Sequence, residues 1–82
     1  MRSIAFSTVI RYALPEAGFV KLSVFDALGR EINTLVARVE NAGTHLIQWN
    51  GLDASGRKAP PGVYFYRLAI NNTTVSRAMT MH

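Results

Sequence analysis

The tightest constraint on this chain is how often its sequence turns. Leu14-Pro15-Glu16-Ala17-Gly18 places Pro where a turn wants a preset φ. Asp26-Ala27-Leu28-Gly29 and Asp53-Ala54-Ser55-Gly56 each put Asp first and Gly fourth. That is a type I signature, in which the Asp carboxylate bonds the backbone two residues on. Asn41-Ala42-Gly43, Pro60-Pro61-Gly62 and Asn71-Asn72 complete the set. Asn71-Asn72 suits a two-residue hairpin because Asn tolerates positive φ. No stretch between these turns carries a 3.6-residue apolar stripe of helical length.

What lies between the turns alternates with period two. Thr8–Leu14 sets Ile10, Tyr12 and Leu14 against Val9, Arg11 and Ala13. Phe19–Phe25 sets Val20, Leu22 and Val24 against Lys21 and Ser23. Thr44–Trp49 groups His45, Ile47 and Trp49, and Val63–Ile70 groups Tyr64, Tyr66, Leu68 and Ile70 opposite Arg67. Glu31–Ala37 alternates less cleanly, with Ile32, Thr34 and Val36 opposing Glu31, Asn33 and Leu35. Its β-branched residues and missing cap still favour a strand over a helix. Thr74–Met81 is a last strand of open facing, because Arg77 shares its alternation with Met79 and Met81. A short piece at Arg57–Ala59 is a candidate seventh strand. The reading is all-β: an antiparallel two-sheet sandwich of six or seven strands in a single domain over residues 1–82.

Composition supports a packed domain with little room for a pocket. Apolar residues make up 49% of the 82 positions and charged residues 17%, which is globular rather than disordered. At this length folding hides only about 60–65% of the surface the unfolded chain exposes, so few residues are spare. There is no cysteine, which excludes disulfides, thiolate metal sites and cysteine nucleophiles. No apolar run reaches membrane-spanning length, and Met1-Arg2-Ser3-Ile4 does not open a signal peptide. The net charge of +4 comes from nine basic residues, seven of them arginine. They are dispersed, with only Arg57-Lys58 adjacent, so they read as solvated side chains and not as a nucleic-acid stripe. Phe65 beside Arg67 is the sole aromatic–basic pairing of that kind.

Catalytic groups do not assemble on paper. His45 sits near a strand start and reads as a half-buried edge histidine; His82 is terminal. A Ser55–His45–Asp53 set lacks a nucleophile elbow and an oxyanion motif. Of the five acids, Asp26 and Asp53 are explained by turn geometry. Asn50, Asp53 and Ser55 offer oxygens for calcium, but the loop holds one carboxylate, so a structural turn is the expectation. The chain is therefore read as no enzyme, with no cofactor and no metal. Trp49 reads as the core tryptophan of an immunoglobulin-like sandwich, and Tyr64 or Tyr66 as a corner tyrosine bonding backbone.

Longer stretches carry a family pattern. These are Ser7-Thr8-Val9-Ile10-Arg11-Tyr12-Ala13-Leu14-Pro15, Val20-Lys21-Leu22-Ser23-Val24-Phe25-Asp26-Ala27-Leu28-Gly29-Arg30-Glu31-Ile32, Ala42-Gly43-Thr44-His45-Leu46-Ile47-Gln48-Trp49-Asn50-Gly51, Asp53-Ala54-Ser55-Gly56-Arg57 and Pro61-Gly62-Val63-Tyr64-Phe65-Tyr66-Arg67-Leu68. In this order they resemble the C-terminal sorting domain of the type IX (Por) secretion system, in the subgroup similar to the immunoglobulin-like domain of the flagellar hook-capping protein. The likeness runs from Ser7 to Met81. The usual Asn-Pro-Phe-Asn-Pro-like lead is reduced here to Phe6 and Ser7.

The resemblance implies an immunoglobulin-like sandwich at the end of a longer exported protein, commonly a hydrolase. It implies a non-catalytic module that directs secretion and cell-surface attachment. The partners would be the outer-membrane secretion and attachment machinery and the parent's upstream catalytic domain, and the location secreted or cell surface. The alternative is an accessory carbohydrate- or protein-binding module of a secreted enzyme. The terminal hairpin Val63–Met81 is the expected recognition surface, with Arg67, Arg77, Met79 and Met81 as its candidate residues.

Overall fold

A computed structural model describes residues 7–81; the lead residues Met1 to Phe6 and the terminal His82 lie outside them. Six strands follow in order: β1 (Thr8–Leu14), β2 (Gly18–Asp26), β3 (Glu31–Glu40), β4 (Gly43–Trp49), β5 (Gly62–Ile70) and β6 (Thr73–Met81). They form two antiparallel sheets, a pair β1-β4 and a four-stranded sheet in the order β3-β2-β5-β6. Each strand that alternates cleanly in sequence starts and ends within one residue of its expected limits. The candidate seventh strand does not form: Arg57–Ala59 contributes only an isolated bridge between Leu52 and Lys58. The Pro60-Pro61 pair beside it supplies no backbone N–H to extend a ladder.

The inward faces follow the alternation. Ile10, Tyr12, Leu14, Val20, Leu22, Val24, Trp49, Tyr64 and Leu68 are buried. Ile47 and Tyr66 are half-buried against them. One cluster joins β1 to β2, β3 and β5 through Ile10, Tyr12, Leu14, Val20, Leu22, Val36 and Leu68. A second gathers Val24, Trp49, Tyr64 and Met81 at the other end. There the Trp49 indole meets Tyr64 edge-on at 5.4 Å and donates its N–H to the Leu52 carbonyl at 2.9 Å. The Tyr64 hydroxyl donates to the Pro60 carbonyl, so Tyr64, not Tyr66, is the tyrosine tied back to backbone.

β3 departs from simple alternation because it is bulged twice. Leu22 pairs with Val36 but Ser23 pairs with Thr34, leaving Leu35 extra. Val24 pairs with Asn33 but Phe25 pairs with Glu31, leaving Ile32 extra. Each extra residue flips the phase of the strand. Leu35 and Ile32 therefore both reach the core, and Val36, Arg38 and Glu40 share the inward side. The hairpin between β5 and β6 closes as expected, with Asn71 at φ 52° and Ile70 opposite Thr73.

Trp49 is 1% exposed and belongs to one of the two clusters that join the small sheet to the large one. Trp49→Ala is expected to cost about 3–5 kcal/mol, enough to unfold much of so small a domain. Urea denaturation followed by circular dichroism measures it; a loss below about 1 kcal/mol would show the cluster to be non-essential.

Candidate interaction surface

The residues nominated from sequence do not form one patch. In β5, Tyr64, Tyr66 and Leu68 face the small sheet, so Arg67 faces away from it. There its guanidinium lies 4.5 Å from the centre of the Phe25 ring, a cation–π contact. Arg77 pairs with Tyr66 across the β5–β6 ladder and so stands on the inward face. Met81 is 5% exposed and packs with Val24, Trp49 and Tyr64. Met79 is half-buried against both core clusters. The two methionines thus serve packing, and the two arginines point to opposite sides of the large sheet.

Arg77 borders an opening at one flank of the sandwich. Among the described residues the small sheet has two strands and the large one four, and none of these strands lies above part of the inward face of β5 and β6. The result is a groove of about 530 Å³ between β1 and that face. Arg11, Tyr12 and Ala13 of β1 form one wall. Tyr66, Leu68 and Ile70 of β5 with Thr73, Val75 and Arg77 of β6 form the floor, and Pro15, Glu16 and Asn71 close the turn end. Val75 is 40% exposed although it lies on the core-facing side of β6. Sequence reasoning missed Val75 because nothing in a local pattern tells which inward positions lack a lid.

A charged cluster lies on the other side of β1. Glu40 is buried and receives the Tyr12 hydroxyl. Arg38 reaches Glu40 at 3.1 Å and the His45 Nδ1 lies 3.8 Å from it. The His45 ring stacks on Tyr12 with centroids 5.4 Å apart, and its Nε2 donates to the Asn41 carbonyl at 2.8 Å. Burial pushes the Glu40 carboxyl upward. The Tyr12 hydroxyl, His45 and Arg38 together outweigh that and hold it below its ordinary value. Burial and the neighbouring carboxylate push the Tyr12 hydroxyl well above the usual phenol range. Sequence reasoning also missed Glu40, since its inward facing depends on the bulges upstream.

At the loop end Asp26 and Asp53 line the same opening, and each carboxylate is engaged by its own turn. Asp26 and Asp53 sit in matching Asp-Ala-x-Gly-Arg turns. The Asp26 Oδ1 accepts from the Leu28 and Arg30 amides, each at 3.0 Å, and its Oδ2 from the Arg30 Nε at 2.7 Å. The Asp53 Oδ1 accepts from the Ser55 and Arg57 amides at 2.9 and 3.0 Å and from the Ser55 hydroxyl at 2.6 Å. The backbone repeats as well: Gly29 donates to the Asp26 carbonyl and Gly56 to the Asp53 carbonyl, both at 3.0 Å. These donors hold both carboxyls below their ordinary values: first the Arg30 amide for Asp26, and first the Ser55 hydroxyl for Asp53. His45 lies at the start of β4 and Ser55 in the loop beyond its end, so the Ser55–His45–Asp53 set is not assembled. Among the described residues, no three His, Cys, Asp or Glu side chains gather as metal ligands.

Two measurements test these local assignments. Gly56 holds φ +86° with nothing within 4 Å of the point where a Cβ would stand, so Gly56→Ala adds strain without a clash and should cost about 1–2 kcal/mol. No loss of stability would show that the turn relaxes. Glu40 has a lowered folded value, so its contribution is fully present above the ordinary carboxylate value, 4.5, and is lost as pH falls through the lower folded value. Denaturation midpoints measured from pH 7 to 2 should fall less steeply below about pH 4.5 for Glu40→Gln than for wild type; equal slopes would remove Glu40 from the acid transition.

Comparison with known proteins follows the fold. Residues 6–74 match the model of the FlgD Ig-like domain. The crystal structure of FlgD from P. aeruginosa superposes with a TM-score of 0.66 at 25% sequence identity. The match covers 93% of this chain and 60% of that one, so the chain spans less than two thirds of that protein's resolved length. No curated protein matches the sequence significantly. The family match carries the immunoglobulin-like part of the resemblance and ends at residue 74, before Val75 and Arg77. With two antiparallel sheets around a buried tryptophan and a match over most of its length, the chain belongs to the FlgD Ig-like domain family.

Proposed function

We propose that this domain is a non-catalytic attachment module that directs secretion and surface anchoring of a larger exported protein, a hydrolase in the commonest case. The observation that carries the reading is β6. It is an edge strand of the large sheet among the described residues, its residues from Val75 to Met81 lie beyond the family match, and it exposes Val75 and Arg77. An edge strand keeps a row of unpaired backbone groups available to a partner. The partner in this reading is outer-membrane export and attachment machinery, and the destination is the cell surface. Sequence likeness to type IX sorting domains from Ser7 to Met81 supports it.

Two other readings share the fold, and fold alone does not choose among them. A hook-cap-like assembly role draws support from the family match. An accessory carbohydrate-binding role draws less, because its platform would need exposed aromatics and Trp49 and Tyr64 are 1% and 5% exposed.

Fusion of residues 1–82 to a periplasmic reporter, expressed in a non-flagellated host with the type IX apparatus, separates these. Surface delivery of the wild-type fusion is expected, with loss of delivery for Arg67→Glu plus Arg77→Glu. Deleting the strand would be uninformative, because Met79 and Met81 are core residues. Both substituted side chains are exposed, and circular dichroism of the purified variant checks that it folds. Reporter retained in the periplasm for the wild type would reject the export reading.

A further inference from the structure

We infer that the groove between β1 and the inward face of β5 and β6 is a docking site for an extended peptide strand that carries carboxylate side chains. It would bind as a third strand of the small sheet. The inference goes beyond the export reading: it rests on the geometry of the isolated domain, whatever exports it.

A constant-type immunoglobulin sandwich sets three strands over four, whereas the small sheet here holds two among the described residues. Among the described residues the open position lies on the side of β1 away from β4, which occupies the other side along the whole register from Thr8↔Trp49 to Leu14↔Gly43. That register has no shift, so the free edge of β1 is a regular row of alternate N–H and C=O groups about 3.4 Å per residue apart. Such an edge accepts an added strand through main-chain hydrogen bonds, and pockets for alternate side chains set the preference.

The floor and the rim fix the chemistry of the occupant. Side chains of an added strand alternate between the floor and the outside. Those facing in would meet Leu68, Ile70 and Val75, an apolar strip with Arg77 on the same face at its end towards Met79. Those facing out would lie beside Arg11, which stands on the outer face between the buried Ile10 and Tyr12. Arg77 borders the same groove from β6. Neither arginine has an ion pair among the described residues. Arginine forks onto carboxylates with two parallel hydrogen bonds. Glu16 is the acid in the lining, and it sits in the turn at the closed end.

Charge also decides against the other occupants. A second copy carries +4, and β1-to-β1 pairing about a two-fold axis would bring the Arg11 side chains of the two copies towards each other. The segment Met1–Phe6 carries Arg2 and no acid, the wrong sign for this rim.

The test uses the 82-residue chain, isotope-labelled, and acetyl-(Glu-Val)4-amide as probe, with acetyl-(Lys-Val)4-amide and acetyl-(Glu-Glu-Val-Val)2-amide as controls. The alternating glutamate peptide should shift amide resonances of Arg11–Ala13 and Thr73–Arg77. The lysine and non-alternating peptides should not. Arg11→Glu plus Arg77→Glu should weaken binding about tenfold, while Arg57→Glu plus Lys58→Glu, an equal change of net charge, should leave it within about twofold. Equal weakening by both pairs would reduce the effect to general attraction and overturn the inference. So would shifts confined to β3, no binding at all, or a dimer in sedimentation whose interface maps to β1. Protection of the β1 amides that disappears when residues 1–6 are removed would likewise overturn it, by showing that the chain fills its own groove. Peptide binding is read on the purified domain and reporter delivery in cells, so either reading can fail alone.

Discussion

A sheet of two strands has too little apolar face to be stable by itself, and here its strands are not even neighbours in sequence. β1 and β4 are separated by the whole β2–β3 hairpin. What holds the pair over the large sheet is side-chain packing, and Trp49, the last residue of β4, is the largest fully buried side chain. Its indole contacts Tyr64 of β5. Its N–H is satisfied by the Leu52 carbonyl, which also accepts from the Asn33 side-chain amide of β3 at 2.8 Å. One carbonyl thus ties β4 and β3 at a single point. The nearby Ala54 amide donates to the Ile32 carbonyl at 2.8 Å, so the long β4–β5 loop is pinned to β3 as well.

β3 shows why some of this was legible in the sequence and some was not. Strands with an unbroken period of two could be placed to within a residue, and their inward faces followed from parity alone. The bulges at Ile32 and Leu35 cannot be read that way, because a bulge is a relation between two strands. Once two residues are set aside, Val36 and Glu40 fall on the inward side, and both are buried. Glu40 then needs partners, and Tyr12, Arg38 and His45 supply them. The sequence shows all four residues and nothing that links them. The facing of Met79 and Met81 was equally unreadable while Arg77 shared their parity. The structure resolves it by position: the strand is covered at its Met81 end, where Trp49 lies, and open at Val75.

The absent seventh strand has the same logic. Arg57–Ala59 lies between an Asp-x-x-Gly turn and Pro60-Pro61 and makes a single bridge. The four nominated recognition residues do not share one surface. Arg67 and Arg77 are at the surface as their charge requires, but the ladder places them on opposite faces, and two methionines beside them are core. A surface defined by a missing strand is a property of the whole sandwich, so no local window could have located the groove.

The edges of the two sheets are not equivalent. β3 is an outer edge of the large sheet, and its two bulges interrupt the ladder and bend the strand, which discourages pairing with another chain. It also carries charge along its length, from Glu31 through Arg38 to Glu40. β1 and β6 pair with their neighbours without a register shift and contain no Pro. Straight, unblocked edges are an aggregation hazard in a small exposed domain, unless something occupies them. β1 offers such an edge beside a largely apolar floor, with Arg11 at its rim and Arg77 on the floor, neither of them in an ion pair among the described residues. The contrast between a spoiled edge at β3 and an intact one at β1 fits a sandwich in which one flank is closed to strangers and the other is kept open for a strand from elsewhere.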